Sequence, residues 1–159
     1  MNRITITVTT PSDPACLQLQ DALSDYLQAL TGSSGRASFD PLAWGENDFF
    51  LLAQDENQHA VGCVAVRSVS DTVGEIKRMY ALPGTRGVGA QLLHALEAKA
   101  LAQGYCSLWL ETRRINQRAL DFYLRNGYRI RENYGRYVGN PQAVCFEKTL
   151  VLPAEADGK

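Results

Sequence analysis

The stretch Met79-Tyr80-Ala81-Leu82-Pro83-Gly84-Thr85-Arg86-Gly87-Val88-Gly89-Ala90-Gln91-Leu92-Leu93 constrains this chain more than any other. A strand-like run passes through a turn holding three glycines and directly into a long helix. The first backbone N–H groups of a helix have no partner inside it and carry about half a positive charge, so a helix start stripped of side chains can bind phosphate. Gly84, Gly87 and Gly89 do the stripping, and Arg86 adds a cation. Tight packing of helix on strand asks for glycine equally, so the junction alone leaves both readings open. The two common nucleotide loops do not fit. No G-x-x-x-x-G-K-[ST] is present, and G-x-G-x-x-G would need glycine at Leu92.

The rest of the chain alternates between strand and helix periods around that junction. Ile4, Ile6 and Val8 alternate with threonines, as in a half-buried strand. Asp13-Pro14 opens a helix on which Leu17, Leu19, Leu23, Tyr26, Leu27 and Leu30 recur at three- and four-residue steps, ending near Gly32. The turn-rich segment 36–47 is expected to hold a short helical piece after Pro41. Phe49–Ala53, Ala60–Val69 and Thr72–Ala81 read as a three-strand meander. The helix from Gly87 to Gln103 carries Val88, Leu92, Leu93, Leu96, Ala100 and Leu101 on its apolar side, with Gly104 as its stop. Cys106–Thr112 is a strand, Asn116 caps a helix that Gly127 closes, and Tyr128–Arg131 and Ala143–Leu150 are the last strands. The expected fold is one α+β domain over residues 1–152 with an α/β-type mixed sheet. It has about seven strands and four helices, followed by a disordered tail over 153–159.

Composition bounds the function. A chain of 159 residues with net charge −1, pI about 6.1 and 45% hydrophobic residues can build one core without disulfides. It lacks the strongly basic balance of a nucleic-acid protein and any apolar run of membrane length, and Met1–Thr7 lacks the apolar block of a signal peptide. The expected setting is cytoplasmic, with neither nucleic acid nor membrane as partner. Cys16, Cys63, Cys106 and Cys145 form no C-x-x-C, and His59 and His94 sit near none of them, so no metal site is expected. Cys63, Cys106 and Cys145 lie in apolar strand-like runs and read as small hydrophobes. The charge is nonetheless uneven. Residues 1–60 hold eight carboxylates against Arg3 and Arg36, a net of −6, and residues 61–159 carry +5.

A second segment bears on chemistry: Glu111-Thr112-Arg113-Arg114-Ile115-Asn116-Gln117-Arg118-Ala119-Leu120-Asp121-Phe122-Tyr123, running on to Gly127-Tyr128. Asn116 and Tyr123 are two helical turns apart and share a face with Ala119 and Leu120. By itself this is the pattern of an ordinary core helix. Taken with the glycine junction, the order and spacing resemble the GNAT superfamily of acetyl-CoA-dependent N-acetyltransferases. Glu75–Tyr80 is similar to that family's fourth strand, Gly87–Leu93 to its pyrophosphate loop and helix, and Leu108–Thr112 to its fifth strand. Asn116-x-x-Ala119-x-x-x-Tyr123-x-x-x-Gly127-Tyr128 is similar to the next helix and turn.

The resemblance implies parallel fourth and fifth strands that splay apart, with the acetyl-pantetheine arm of the cosubstrate acetyl-CoA in the V between them. Met79, Tyr80 and Ala81 would present backbone groups to that arm, and Gly87, Val88, Gly89 and Ala90 would hold the pyrophosphate. Asn116 would fix the arm from the far side, and Tyr123 would stand near the sulfur as a proton donor. The family's loop usually reads R/Q-x-x-G-x-G/A. Here the segment after Pro83 is short: with Gly87-Val88-Gly89 as the G-x-G the R/Q position falls on Gly84 and Arg86 is expected to compensate, while the alternative register Arg86-x-x-Gly89-x-Gln91 puts glutamine where a small residue belongs.

Direct attack of an amine on a thioester needs a base, and Glu75 is the candidate, directly or through water. By strict alternation it shares a face with Lys77 and Met79. A surface pair with Lys77 or Arg78 is the other reading, and Glu111 is the second candidate base. The expected function is therefore transfer of acetyl to a primary amine of a small molecule or peptide. The alternative is a catalytically silent acyl-CoA-binding module. The acceptor is expected from the side of Asp13–Asn47 and Asn133–Gln142, with Trp44, Tyr134 and Tyr137 as candidate walls. The acidic first half suggests an acidic vestibule for a cationic amine. A homodimer remains open.

Overall fold

The computed structural model describes residues 3–36, 39 and 44–150. The helical piece expected after Pro41 and the tail over 153–159 lie outside the described residues. Seven strands form one sheet: β1 (Thr5–Thr9), β2 (Phe49–Gln54), β3 (Ala60–Ser68), β4 (Val73–Ala81), β5 (Ser107–Arg113), β6 (Arg129–Arg131) and β7 (Ala143–Thr149), in the order β1-β2-β3-β4-β5-β7-β6. Among the described residues three α-helices cover it: α1 (Pro14–Thr31), α2 (Val88–Ala102) and α3 (Gln117–Arg125).

Local chemistry sets the helix ends. Asp13 caps α1 by accepting from Ala15 N at 3.0 Å, with Pro14 in the first turn and left-handed Gly32 at the end. Asn116 caps α3 by accepting from Ala119 N at 3.2 Å. Residues 82–85 turn with a hydrogen bond from Thr85 N to Leu82 O, and Pro83 and Gly84 (φ +86°) occupy the two central positions that favour them.

The two faces of the sheet bury different material. α2 and α3 pack Val88, Leu92, Leu93, Leu96 and Tyr123 onto Leu51, Val64, Val66, Ile76 and Leu108. The other face carries α1, through Cys16 and Leu19 against Phe50, Leu52 and Cys63, and farther along the segment 133–142. α2 can lie so close to β3 because residue 62 is glycine. A Cβ there would stand 2.7 Å from Val88 Cγ1 and 2.9 Å from Leu92 Cδ1.

β4 is parallel to β5, and the two pair over three positions, Val73↔Ser107, Gly74↔Leu108 and Glu75↔Trp109. Beyond Trp109, β5 is held on its far side by β7 as far as Arg113↔Ala143, while β4 stays with β3 as far as Ala81. The strands therefore part, and a V opens between them.

Three expectations change here. The register of β3 on β4 slips between Cys63↔Tyr80 and Ala65↔Lys77, and Arg78 takes φ +54°. This is a β-bulge that places two residues opposite Val64. Glu75 and Lys77 stay on one face, but Met79 turns to the other and packs with the α2 cluster, while Tyr80 faces α1. On α1, Leu17 and Tyr26 are exposed, and the buried stripe is Cys16, Leu19, Gln20, Leu23 and Ser24. Ser24 is inside with its hydroxyl accepting from the Arg78 guanidinium, and Gln20 with its side-chain amide donating to Pro11 O at 2.9 Å while its carbonyl accepts from Arg78. Cys106 is exposed, since it precedes β5 rather than lying within it.

Candidate active site

The V opens into a cavity of about 820 Å³. One end is built from backbone. Gly87 caps α2 in the left-handed conformation (φ +75°), and no side chain caps the helix, so the first amides of Val88, Gly89 and Ala90 have no partner within it. Gly87, Val88, Gly89 and Ala90 all line the cavity. Gly89 has a second reason to be glycine, because its missing Cβ would stand 3.2 Å from the Phe122 ring. Phe122 seats α3 against the start of α2 and itself lines the cavity. Sequence reading missed it, although an aromatic beside Tyr123 on a short helix was the available signal.

Met79, Tyr80 and Ala81 line the V from β4, where no strand pairs with their edge on the β5 side. Asn116 and Tyr123 line it from α3. Asn116 is buried, and its cap bond to Ala119 fixes the orientation of its side chain. Tyr123 is 6% exposed and lies among aromatic rings, with centroids 5.1 Å from Phe122, 5.6 Å from Tyr128 and 5.9 Å from Phe146. Burial pushes its hydroxyl pKa well above the ordinary value near 10, so it stays protonated through the working range. The resident features fit an extended, diphosphate-bearing ligand, with amides unpartnered at a helix start and a strand edge unpaired along a cavity.

Arg86 lies elsewhere. It borders a small hollow with Ile4, Asp55, Glu56 and Asn57 and does not line the cavity. The arginines that line the main cavity are Arg78, Arg113, Arg118, Arg125 and Arg136.

The other end is built from side chains. The face of β4 and β5 under the segment 133–142 carries two carboxylates, Glu75 and Glu111. Glu75 accepts from the Tyr134 hydroxyl at 2.6 Å, stands 3.6 Å from Lys77 Nζ, and does not line the cavity. Glu111 does line it. It is paired with Arg113, and burial outweighs that cation and holds its pKa above the usual carboxylate range. The segment above them is anchored by the Asn133 amide, which donates to Tyr137 O and Asn140 O at 3.0 Å each, and by Arg114 N donating to Gln142 O at 2.7 Å. It presents Tyr137 to the cavity, while Tyr134 stacks behind it at 5.6 Å. Trp44 is not part of this wall and packs against Phe39 and Phe50 beneath α1.

The expected acidic vestibule is not what these residues build. α1 and its following turn give the cavity Leu23, Tyr26, Leu27, Thr31, Ser33 and Gly35, none of them acidic, and Asp21 pairs with Arg36 outside it. Glu111 is the one carboxylate among the described lining residues.

The comparisons agree with this architecture. The profile of the Acetyltransferase (GNAT) family matches residues 18–128. A relative from Azospirillum brasilense named IAA acetyltransferase is 30% identical over 153 residues, covering 94% of this chain and all of the relative. A solved structure from Klebsiella pneumoniae, assigned as an acyl-CoA N-acyltransferase, superposes with TM-score 0.79 at 32% identity over 93% of this chain and 98% of its own. A GNAT family acetyltransferase from Elizabethkingia anophelis, solved with acetyl-CoA bound, shares the fold with TM-score 0.66 at 21% identity over 92% of this chain and 98% of its own. On the splayed strands, the glycine-led helix and these matches, the chain belongs to the GNAT acetyltransferase family.

Proposed function

We infer that this chain transfers acetyl from acetyl-CoA to the primary amine of a small molecule or peptide by direct attack. The observation that carries the reading is the shared cavity, onto which the α2 amides, the unpaired β4 edge, Tyr123 and Glu111 all open. When bound, acetyl-CoA supplies an acyl group activated as a thioester. The amides of Gly87, Val88, Gly89 and Ala90 hold the diphosphate, and the backbone of Met79, Tyr80 and Ala81 pairs with the extended arm and donates to the carbonyl oxygen. Asn116 steadies the arm from α3.

Proton movements at the amine and at the sulfur remain, and each site has a group suited to it. Glu111, with its raised pKa, takes the proton of the incoming ammonium at a carboxylate oxygen. The Tyr123 hydroxyl, protonated through the working range, gives its proton to the departing sulfur. The step forms one N–C bond and breaks one C–S bond; of the two protons nitrogen loses, one passes through Glu111 to solvent and the other restores the Tyr123 phenol, leaving an amide and a thiol. Glu75, the first candidate base from the sequence, serves instead to position Tyr134 and Lys77.

Binding and turnover test the reading separately. Acetyl-CoA should raise the melting temperature, since a ligand that binds the folded state stabilises it by mass action, and thiol release should follow with at least one amine of a chemically varied panel. No stabilisation at millimolar acetyl-CoA refutes the reading. Stabilisation without thiol release from any amine refutes its catalytic part.

A further inference from the structure

The charges at the acceptor end of the cavity do not cancel. Glu111 and Arg113 neutralise one another, as do Glu75 and Lys77. Arg78 has no such partner among the described residues. It is 8% exposed, lines the cavity, and donates to Gln20 O at 2.9 Å, Ser24 Oγ at 2.7 Å and Ser34 O at 3.4 Å, all neutral acceptors. Its Nε is buried without a partner, and burial lowers its pKa. A cation held by neutral groups in a low dielectric leaves a positive potential in the space beside it.

The second observation is a directed proton. Lys77 Nζ lies 2.8 Å from the Tyr137 hydroxyl oxygen. An ammonium has only hydrogens to give, so that oxygen accepts, and the O–H of Tyr137 is left to donate elsewhere. Among the described residues no hydrogen bond takes it up, and the neighbouring Tyr134 hydroxyl donates its own proton to Glu75. A phenol that accepts from a cation is polarised into a stronger donor, and Tyr137 lines the cavity. On the α1 side Leu23, Tyr26 and Leu27 give the cavity an apolar stretch of wall.

We propose that the acceptor is an amine that also bears a carboxylate and an apolar body, the chemistry of an amino acid with an aliphatic or aromatic side chain. Its carboxylate accepts from the Tyr137 hydroxyl beside Lys77 and within the field of Arg78, its body lies along α1, and its amine faces Glu111. The proposal rests on the acetyl-transfer reading above and names that site's substrate class.

Matched pairs test it: phenylalanine and leucine against their carboxamides and against phenethylamine and isoamylamine. Each acid should exceed its amide by about tenfold or more in kcat/KM, the worth of one hydrogen bond between a charged and a polar group. That ratio should fall toward one in Tyr137→Phe and in Lys77→Met. Calorimetry with the same ligands on protein saturated with CoA should give the same order in Kd without turnover. Amides or plain amines that match the acids in the wild type overturn the proposal and leave acetyl transfer standing. A wild-type preference that survives in both variants overturns the assignment to Tyr137 and Lys77. Thiol release from no amine, together with no stabilisation by acetyl-CoA, overturns the underlying reading instead. If circular dichroism shows both variants unfolded, the wild-type ratios in turnover and in calorimetry decide.

Discussion

The two ends of the cavity recognise by different means. At the α2 end the groups are backbone amides and an unpaired strand edge, placed by turn geometry and by the absence of side chains. At the acceptor end they are side chains: Lys77 on Tyr137, Glu75 on Tyr134 and Glu111 on Arg113. A backbone site suits a ligand with invariant phosphates, because few single substitutions remove an N–H. A side-chain site can be retuned one residue at a time, so this is where relatives of one fold can diverge in what they acetylate.

Perturbations should separate the two ends, beginning with the chemistry that joins them. Tyr123→Phe should lower kcat by about 10³-fold, within the range for a positioned proton donor, while the Kd of acetyl-CoA changes little. Equal losses in both would make Tyr123 a packing residue of the coenzyme end. Glu111→Gln should cost about 10²-fold in kcat/KM near neutrality and flatten the acid limb of its pH profile.

That same variant should be more stable than the wild type at neutral and higher pH. The raised pKa means that the folded state holds a proton the unfolded chain has released. Stability from this group is thus present at low pH and is lost as pH rises through the folded pKa. Melting curves across pH that show no growing gain for Glu111→Gln would contradict that sign.

Smaller effects test whether the ends are independent. Gly62→Ala drives a methyl into Val88 and Leu92 and should cost about 1–3 kcal/mol by denaturant melts, the usual range for overpacking. It should weaken acetyl-CoA binding while the ratio of acid to amide acceptors holds. Tyr134→Phe removes the bond to Glu75 and should cost about 1 kcal/mol, with acceptor KM rising and the coenzyme Kd unmoved. Arg86→Ala should shift that Kd by less than about threefold, since an exposed cation off the cavity contributes little. A large effect of Arg86 would return it to the coenzyme site and blur the contrast.

Legibility in the sequence divides along the same line. The order of the described elements, the Asp13 and Asn116 caps and the glycine-led start of α2 were readable because each is decided within a few residues. The acceptor end was not. Tyr134 meets Glu75 across 59 residues and Tyr137 meets Lys77 across 60, and no local pattern announces such pairs. Glu75 and Glu111 look alike in sequence, but Glu75 lies in the last β4–β5 pair, opposite Trp109 and under Tyr134, while Glu111 stands beyond the point where the strands part. The bulge left one trace, since the adjacent polar residues Lys77 and Arg78 break an otherwise alternating strand.

That break makes the length of β4 behave like a reading frame. Every side chain after Arg78 points opposite to where simple counting would send it, which keeps Met79 on the α2 face and Tyr80 on the α1 face. Point substitutions before the bulge are local edits. Deleting Arg78 would restore even pairing with Met79 and Tyr80 still on those faces and would free α1 from the guanidinium, whereas straightening β4 with all its residues kept would exchange Met79 and Tyr80 across the sheet. The lip of the cleft would be rewritten while every other strand kept its partner.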